Sequence, residues 1–331
     1  MPINYKQSGV DVEAGDHLVD WLKKHSPERW PHQERLVSGI GGFAGLFKAQ
    51  FPGMQDPCLV ACTDGVGTKI KLAAQYKSYG SVAQDLVAMC VNDLICCGAQ
   101  PLFFLDYFAT GRLVLENAQE FLAGLQKACL ESELLLLGGE TAEMPDVYSE
   151  GDFDCAGFSV GIVDRPRAWG LEKVKVGDRL LALPSSGCHS NGYSLLRKIF
   201  VKDLDQWAKE LLIPTALYVK PLKVVREVVE IHAVAHITGG GMDNLPRILP
   251  NDTKAVLRPW KWPEVFKEVQ KRSGMSDLEM LKTLNCGVGM VLVLPEEQVA
   301  KARKELEKVS VSSFELGHVE TALGEPSWEM P

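Results

Sequence analysis

The chain has 331 residues, of which 46% are hydrophobic and 24% charged, and its formal net charge is -8. This length predicts two domains, or one large one, with a sizeable buried core. The acidic balance, without a segment dominated by Lys and Arg, argues against a nucleic-acid-binding protein. Its first residues lack the apolar core of a signal peptide, and its apolar runs are too short to span a bilayer.

The cysteines indicate the compartment. There are nine, an odd number, scattered through apolar segments without CxxC pairs or His–Cys metal spacing. Buried, reduced thiols in a cytoplasmic protein are the expected state.

The first half of the chain alternates between amphipathic helices and apolar strands. A helix is expected around DHLVDWLKKH, which carries Lys23. Helical periodicity and Gly or Pro stop signals predict helices at 81–97 and 115–132. Apolar runs predict strands at 57–64, 101–111, 133–139 and 154–164.

A polar segment with Pro and Gly, 164–178, predicts the boundary between domains of residues 1–165 and 171–331. The second half also mixes strands and helices, so the fold class is α+β, with two mixed α/β domains. Its predicted strands are 179–184, 233–238 and 312–318, and its predicted helices are 192–200, 221–231 and 296–309.

TDGVGTK, residues 63–69, has the glycines, threonine and lysine of a phosphate-binding loop but opens with a carboxylate, Asp64. It lacks the Walker A spacing, so by itself it is either a nucleotide loop or an ordinary turn. Asp93 lies late in a predicted helix and Glu140 follows a buried strand. Carboxylates at the ends of buried elements suit Mg²⁺, which binds a few carboxylates together with substrate phosphates. Asp64 would then hold the ion, while Gly65 and Gly67 allow close backbone approach and Lys69 adds positive charge.

The alternative to a metal-binding role is that the acidic residues of the helix 81–97 simply form a polar face of that helix. Asp85 and Asn92 share one face of the helix 81–97, because they are seven residues apart. That face is either exposed to solvent or pairs with an arginine.

Two further loops follow strands in the second half. In 183–199, Ser190 or Asn191 can cap the following helix, and His189 can donate to a phosphate or polarised oxygen. The alternative is a plain capped helix with an exposed histidine. The triple glycine in 237–244 indicates either close approach to a ligand or a flexible turn.

These segments occur in an order that resembles the aminoimidazole ribonucleotide synthetase (phosphoribosylformylglycinamidine cyclo-ligase) family of purine biosynthesis. The segment DLICCGAQP fits the D-x4-G-A-x-P pattern of the wider superfamily, whereas FFLDYFATG and HSNGYSL point to this member. The matching segments cover most of the chain: GVDVEAGDHLV, IGGFAGLF, TDGVGTK, DLVAMCVNDLICCGAQPLFFLDYFATG, GGETAEMP, SSGCHSNGYSLLRKI, HITGGGMDNLPRILP and NCGVGM.

The resemblance implies ATP-dependent ring closure of formylglycinamidine ribonucleotide through an iminophosphate, with ATP as co-substrate and Mg²⁺ as cofactor. It leaves K⁺ open as an assisting ion, and leaves as alternatives another ATP-dependent superfamily member or a non-catalytic relative. Its implied metal ligands are Asp64, Asp93 and Glu140, and its implied catalytic residues are His189, Lys69 and Asp64. The implied ATP site comprises Lys23, Asp64, Gly65, Gly67, Thr68, Lys69, Asp93 and Glu140. The implied substrate site comprises Ser185, Ser186, Gly187, His189, Ser190, Asn191, Thr238, Gly239 and Gly240, with Gly241 beside it.

The strand PLFFLDYFATG predicts a homodimer. Phe103, Leu105 and Tyr107 point to one face, and Phe104, Asp106 and Phe108 to the other. Both faces are largely apolar, so both should be covered, and the first half has too few helices to cover them. The resemblance implies that first-domain strands of two subunits close into a shared barrel, with nucleotide sites near the interface and a C-terminal sheet covered by helices.

Overall fold

The computed structural model describes residues 11–331. The first ten residues, on which the expectation about a signal peptide rests, lie outside this range. They include the first two residues of the segment GVDVEAGDHLV. The described chain forms two compact units. Unit 1 contains the described residues up to Leu94 together with Gln100–Asp164, and unit 2 contains Ile95–Ala99 and Arg165–Pro331.

Unit 1 is built on a four-stranded sheet of order β3-β6-β4-β5. Strand β6 is antiparallel to β3 and β4, whereas β4 and β5 are parallel. The predicted strands and helices of this half are confirmed, but the short β1, β2 and α2 escaped prediction. The strands are β1 (Leu36–Ser38), β2 (Leu46–Phe47), β3 (Pro57–Gly65), β4 (Gln100–Thr110), β5 (Leu135–Glu143) and β6 (Phe153–Asp164), and the helices are α1 (Val12–Lys24), α2 (Lys69–Tyr76), α3 (Tyr79–Ile95) and α4 (Leu115–Glu131).

Helices cover one face of this sheet. Phe108 of β4 packs on Phe121 of α4, with ring centroids 5.0 Å apart, and Ser159 of β6 donates to the Cys90 carbonyl of α3. The other face, here named the open face, is only partly covered by the described residues. It carries Leu59, Phe103, Leu105, Tyr107 and Phe158, with Leu59 67% exposed and Phe158 43% exposed.

Unit 2 is built on a six-stranded sheet of order β12-β9-β11-β7-β10-β8. All its neighbouring strands are antiparallel except β12 and β9. Strand β10, which lies between β7 and β8, is buried along its whole length, as expected of an inner strand with both faces covered. The strands are β7 (Arg179–Pro184), β8 (Ala233–His236), β9 (Thr253–Leu257), β10 (Val288–Leu294), β11 (Phe314–Thr321) and β12 (Ser327–Glu329).

The helices of unit 2 differ from the expected ones in detail. The predicted helix 221–231 ends earlier, at Arg226, and the predicted helix 296–309 opens with a turn of 3-10 helix, Glu296–Gln298. Among the described residues, no helix is long and apolar enough to cross a membrane. The helices are α5 (Tyr193–Ile199), α6 (Leu204–Leu211), α7 (Val219–Arg226), α8 (Glu264–Ser273), α9 (Asp277–Thr283) and α10 (Val299–Lys308).

Candidate active site

The segment TDGVGTK joins β3 to α2. Asp64 lies near the end of the strand, and its Oδ1 accepts the Gly65 N–H at 2.8 Å. Gly67 has a φ of 66°, a left-handed conformation that favours glycine, and both Gly67 and Thr68 are exposed. The loop therefore presents backbone to solvent immediately before the first turn of α2.

Lys69 is not presented to solvent. Its Nζ lies 2.7 Å from Asp85 Oδ2, and both side chains are completely buried. Asn92 is buried on the same face of α3 as Asp85, whereas Asp93 is exposed. The polar face predicted on this helix therefore points inward, and its aspartate pairs with a lysine rather than an arginine. We therefore revise the expected role of Lys69 from phosphate contact to positioning of the loop.

Asp64 and Asp93 lie close enough together to act on the same thiol. Burial and then the negative charges of Asp93 and Asp64 raise the pKa of Cys62 to about 12. The neighbouring Cys90 donates to the Asp64 carbonyl at 3.8 Å, and burial raises its pKa as well. These two thiols are therefore protonated at neutral pH and are poor nucleophiles.

Glu140 does not join Asp64 and Asp93 within one chain. In the sheet register Asp64 lies opposite Gly157, Gly157 opposite Asp106, and Asp106 opposite Gly139, the residue before Glu140. Three strand spacings separate the two edges, about 14 Å along the sheet, whereas ligands of one Mg²⁺ lie within about 4 Å of each other. No cluster of three or more acidic, His or Cys side chains suited to a metal occurs within residues 11–331. Within one chain, strand order therefore places Asp64 and Glu140 on opposite edges of the sheet, and a metal site that uses Asp64, Asp93 and Glu140 together stays a prediction.

Glu140 shares a cleft with Lys23 instead. This cleft, named the β5 cleft, has a volume of about 1280 Å³ and is bounded by α1, the loop 39–45, β4 and β5. Lys23 packs closely on the loop, because a Cβ built at Gly41 would lie 2.8 Å from its Nζ. Gly41 has a φ of 105°, which also favours glycine. The loop GIGGFAG is thus part of a candidate site that the sequence predictions did not include.

In unit 2, the loop after β7 holds His189 inside the protein. His189 is completely buried with a φ of 58°, and its Nε2 accepts the Ser186 N–H at 3.2 Å. Because this nitrogen accepts a backbone donor, the proton of the neutral ring is on Nδ1. The alternative of a plain capped helix with an exposed histidine is therefore wrong. His189 is also not placed to donate a hydrogen bond through Nε2. In this structure it holds the backbone of Ser186, and its catalytic role stays a prediction.

The helix after this loop begins later than expected. Gly192, with a φ of 80°, is the N-cap of α5, so neither Ser190 nor Asn191 caps it. Ser190 instead pairs with the Thr215 hydroxyl at 3.1 Å. A left-handed glycine turns the chain into the helix without a side-chain cap, which the sequence pattern did not reveal.

The two glycine loops of unit 2 lie together. A Cβ built at Gly239 would lie 3.1 Å from Asn191 Oδ1, so Thr238–Gly240 runs beside the 185–191 loop. Gly241 has a different role, because its Cβ would lie 2.1 Å from the Leu281 carbonyl oxygen. Close packing on α9, rather than ligand approach, requires that glycine.

Asn285 is a site residue that the sequence predictions missed. Its Oδ1 accepts from Ser185 Oγ at 3.0 Å and from the Gly287 N–H at 2.9 Å, and its Nδ2 donates to the Gly187 carbonyl at 3.0 Å. It thus fixes both ends of the Ser185–Gly187 loop. It lies in NCGVGM, which had no assigned role.

The sequence matches two family descriptions in order. Residues 44–163 match AIR synthase related protein, N-terminal domain, and residues 175–325 match AIR synthase related protein, C-terminal domain. A phosphoribosylformylglycinamidine cyclo-ligase of Myxococcus xanthus (strain DK1622) is 46% identical over 340 residues, covering 98% of each chain.

Solved structures show the same fold at low identity. A crystal structure of hydrogenase maturation protein HypE in complex with ATP is 18% identical with a TM-score of 0.70, covering 98% of this chain and 92% of that one. Thiamine-monophosphate kinase from Stenotrophomonas maltophilia K279a is 14% identical with a TM-score of 0.63, covering 96% of both chains. From both domain matches and the near full-length relative, we conclude that the chain belongs to the AIR synthase family.

Proposed function

We propose that the protein is a phosphoribosylformylglycinamidine cyclo-ligase of purine biosynthesis. It uses ATP to close formylglycinamidine ribonucleotide to 5-aminoimidazole ribonucleotide, and releases ADP and phosphate. The observation that carries this proposal is the 46% identity to a relative of that name along 98% of both chains. No feature of the described residues favours a kinase or a non-catalytic protein instead.

The reaction needs alignment and charge neutralisation more than covalent help from the protein. ATP phosphorylates the formamide oxygen, the amidine-side nitrogen attacks the resulting iminophosphate carbon, and phosphate leaves as the imidazole ring closes. Phosphoryl transfer of this kind is accelerated mainly by positioning and electrostatic stabilisation. The exposed backbone of Gly67 and Thr68, with Gly65 beside them, is the part of the β3–α2 loop that phosphates would approach.

The carboxylates fit a magnesium site of the kind that phosphates complete. Asp64 and Asp93 would hold the ion, whose charge would neutralise the transferring phosphoryl group. Both carboxylates act on Cys62, which supports their proximity. Lys69, tied to Asp85, would keep the loop that carries Asp64 in place.

We propose that a second copy of the chain completes this site. The open face carries Phe103, Leu105 and Tyr107, and an uncovered aromatic sheet face usually marks an interaction surface. A homodimer whose sheets close into a shared barrel would cover it. The nucleotide site would then lie near the interface, where Glu140 and Lys23 of one copy could approach Asp64 of the other.

The loops of unit 2 are proposed to hold the ribonucleotide substrate. Ser185, Ser186, Gly187, Ser190 and Asn191 form one loop, and Thr238, Gly239 and Gly240 form the adjacent one. His189 and Asn285 hold the first loop through hydrogen bonds to Ser186, Ser185 and Gly187.

A cytoplasmic location is proposed because all nine cysteines are free, as in a reducing compartment.

The direct test is turnover by the purified protein. Formylglycinamidine ribonucleotide, ATP and Mg²⁺ should yield 5-aminoimidazole ribonucleotide and ADP in equal amounts. ADP without the imidazole would indicate a kinase or an ATPase instead.

A further inference from the structure

Asp106 is a buried carboxylic acid in the β5 cleft with no role in the proposed reaction. It lies in FFLDYFATG, on the helix-covered face of β4. Its residue is 7% exposed, and it lines the cleft together with Gly139. A nine-tenths buried carboxyl group at the floor of a cleft requires an explanation, since such groups normally have a partner.

The surroundings of Asp106 disfavour its charged form. Burial raises the pKa of Asp106 to about 7, offset in part by a hydrogen bond to its own backbone N–H. Among residues 11–331, no Lys, Arg or His forms an ion pair with it. Ionisation of the Asp106 carboxyl group therefore destabilises the ligand-free protein. Carboxyl groups with such a raised pKa in a cleft are candidates for contact with a bound ligand.

Gly139 leaves room for this carboxyl group. A Cβ built at Gly139 would lie 2.1 Å from Asp106 Oδ1 and 2.9 Å from the Asp106 carbonyl oxygen. Gly139 is itself exposed, so the carboxyl group borders the cleft where β5 lacks a side chain. Gly139, in the motif GGE, therefore leaves the space that the Asp106 carboxyl group occupies.

The rest of this part of the cleft suits a flat ring. Leu18 of α1 and Leu122 of α4 are apolar walls, and the glycine loop 39–45 with Lys23 lies at the rim. Apolar walls with one buried hydrogen-bonding group are the usual composition of a small-molecule pocket. The acceptor at its floor selects a ring that carries an N–H donor.

We propose that Asp106 accepts a hydrogen bond from the exocyclic amino group of adenine and so determines the preference for ATP over 6-oxopurine nucleotides. The inference rests on the proposed function in that ATP is the co-substrate. A 6-oxopurine presents an oxygen at that position, which a carboxylate repels and which would leave both groups unpaired.

Calorimetric binding of ATP and inosine triphosphate, with Mg²⁺ at pH 8, tests this inference. The wild type should bind ATP about 5- to 150-fold more tightly, because an unmatched buried hydrogen bond costs about 1–3 kcal/mol. Asp106→Asn should bring the ratio close to one, since its amide N–H can donate to the 6-oxo oxygen. Asp164→Asn is the matched control: Asp164 is also 7% exposed, but its Oδ1 accepts from the Gln55 and Asp56 N–H groups and it does not line the cleft.

The pH dependence is a second readout. In the wild type the ATP preference should grow from pH 6 to pH 8 as Asp106 ionises, and in Asp106→Asn it should stay constant. A wild-type ratio near one, or an unchanged ratio in Asp106→Asn, overturns the inference, whereas failure of the wild type to bind ATP overturns the proposed function as well. The other titratable groups that act near Asp106 or line the cleft are Cys129 of α4, Cys155 of β6, Asp16, Asp20 and Lys23 of α1, and Glu140 of β5.

Discussion

Lys69 Nζ lies 2.7 Å from Asp85 Oδ2 in a pair that is completely buried. Lys69 is the first residue of α2, directly after the loop with Asp64, whereas Asp85 lies within α3. The pair therefore fastens the start of α2, and with it the TDGVGTK loop, to α3. A lysine that sequence reasoning assigned to phosphate binding has instead a buried partner in its own domain.

Breaking this pair should destabilise the protein strongly. Lys69→Met leaves Asp85 as an uncompensated buried charge and should lower the free energy of unfolding by about 3–5 kcal/mol. The double variant Lys69→Met/Asp85→Leu removes both charges and should recover most of that loss. Urea unfolding measures each value.

The control is the exposed pair two residues further along α2. Lys71 Nζ lies 2.6 Å from Asp152 Oδ2, with the side chains 47% and 29% exposed. Lys71→Met should cost no more than about 1 kcal/mol. Equal losses in Lys69→Met and Lys71→Met would contradict a structural role for the buried pair.

Asp64→Asn should abolish most turnover while the fold survives. Removal of a carboxylate that holds Mg²⁺ should lower kcat by about a hundredfold or more and raise the Mg²⁺ concentration needed for activity. Asp154→Asn is the control, since Asp154 Oδ1 accepts the N–H of Cys155 much as Asp64 Oδ1 accepts that of Gly65. Wild-type turnover and Mg²⁺ dependence in Asp64→Asn would exclude the metal assignment.

Replacing His189 should affect the substrate side far more than nucleotide binding. His189→Ala removes the acceptor of the Ser186 N–H, and a misplaced loop should lower kcat/KM for the ribonucleotide by about 10²-fold. ATP affinity, measured by calorimetry, should stay near that of the wild type. His189→Asn should recover part of the loss, because asparagine tolerates a left-handed backbone and offers an acceptor. A large loss of ATP affinity in His189→Ala would place this residue on the nucleotide side.

The structure decides which aromatic residue tests the homodimer. Phe104 is completely buried, whereas Phe103 lies on the open face. Phe103→Glu should therefore convert a dimer of about twice the 36.4 kDa chain mass into a monomer and lower activity with it. Light scattering measures the mass, with Leu130→Glu on the exposed side of α4 as the control. A fully active wild-type monomer at micromolar concentration would contradict the shared site.

Asp106→Asn should stabilise the protein at neutral to alkaline pH. Asp106 has a pKa raised from 3.8 to about 7, so the folded state holds its proton more tightly than the unfolded state. Wild-type stability therefore falls as pH rises from about 4 to about 7, and a non-titrating asparagine avoids that loss. The difference should grow from near zero at pH 4 to as much as about 4 kcal/mol at pH 8. Urea unfolding at pH 4, 6 and 8 measures it, and a pH-independent difference would contradict a raised pKa for this buried carboxyl group.

Local patterns predicted most of the elements. Residues 179–184 were predicted as a strand and form β7 with those bounds, because an apolar run between polar residues identifies a buried strand. No strand is predicted at the equally apolar β10, Val288–Leu294. Gly192 as an N-cap was missed because a left-handed glycine leaves no side-chain signal.

The arrangement of the site was less predictable than its residues. Asp64 lies near the end of β3 and Glu140 lies within β5, but strand order, which the sequence does not reveal, separates them by two intervening strands. Asn285 was missed because its partners Ser185 and Gly187 are about a hundred residues away in the chain. Helical spacing correctly placed Asp85 and Asn92 on one face, but only the packing of α2 on α3 shows that this face is buried.

The central claim is ATP-dependent ring closure by this protein. Its most direct measurement is a single reaction of the purified wild-type protein with formylglycinamidine ribonucleotide, ATP and Mg²⁺, followed for the imidazole product and ADP. We predict equal amounts of 5-aminoimidazole ribonucleotide, ADP and phosphate, and no imidazole when ATP is omitted. ADP formed without the imidazole, or no reaction by a folded protein that binds both substrates, would contradict the account.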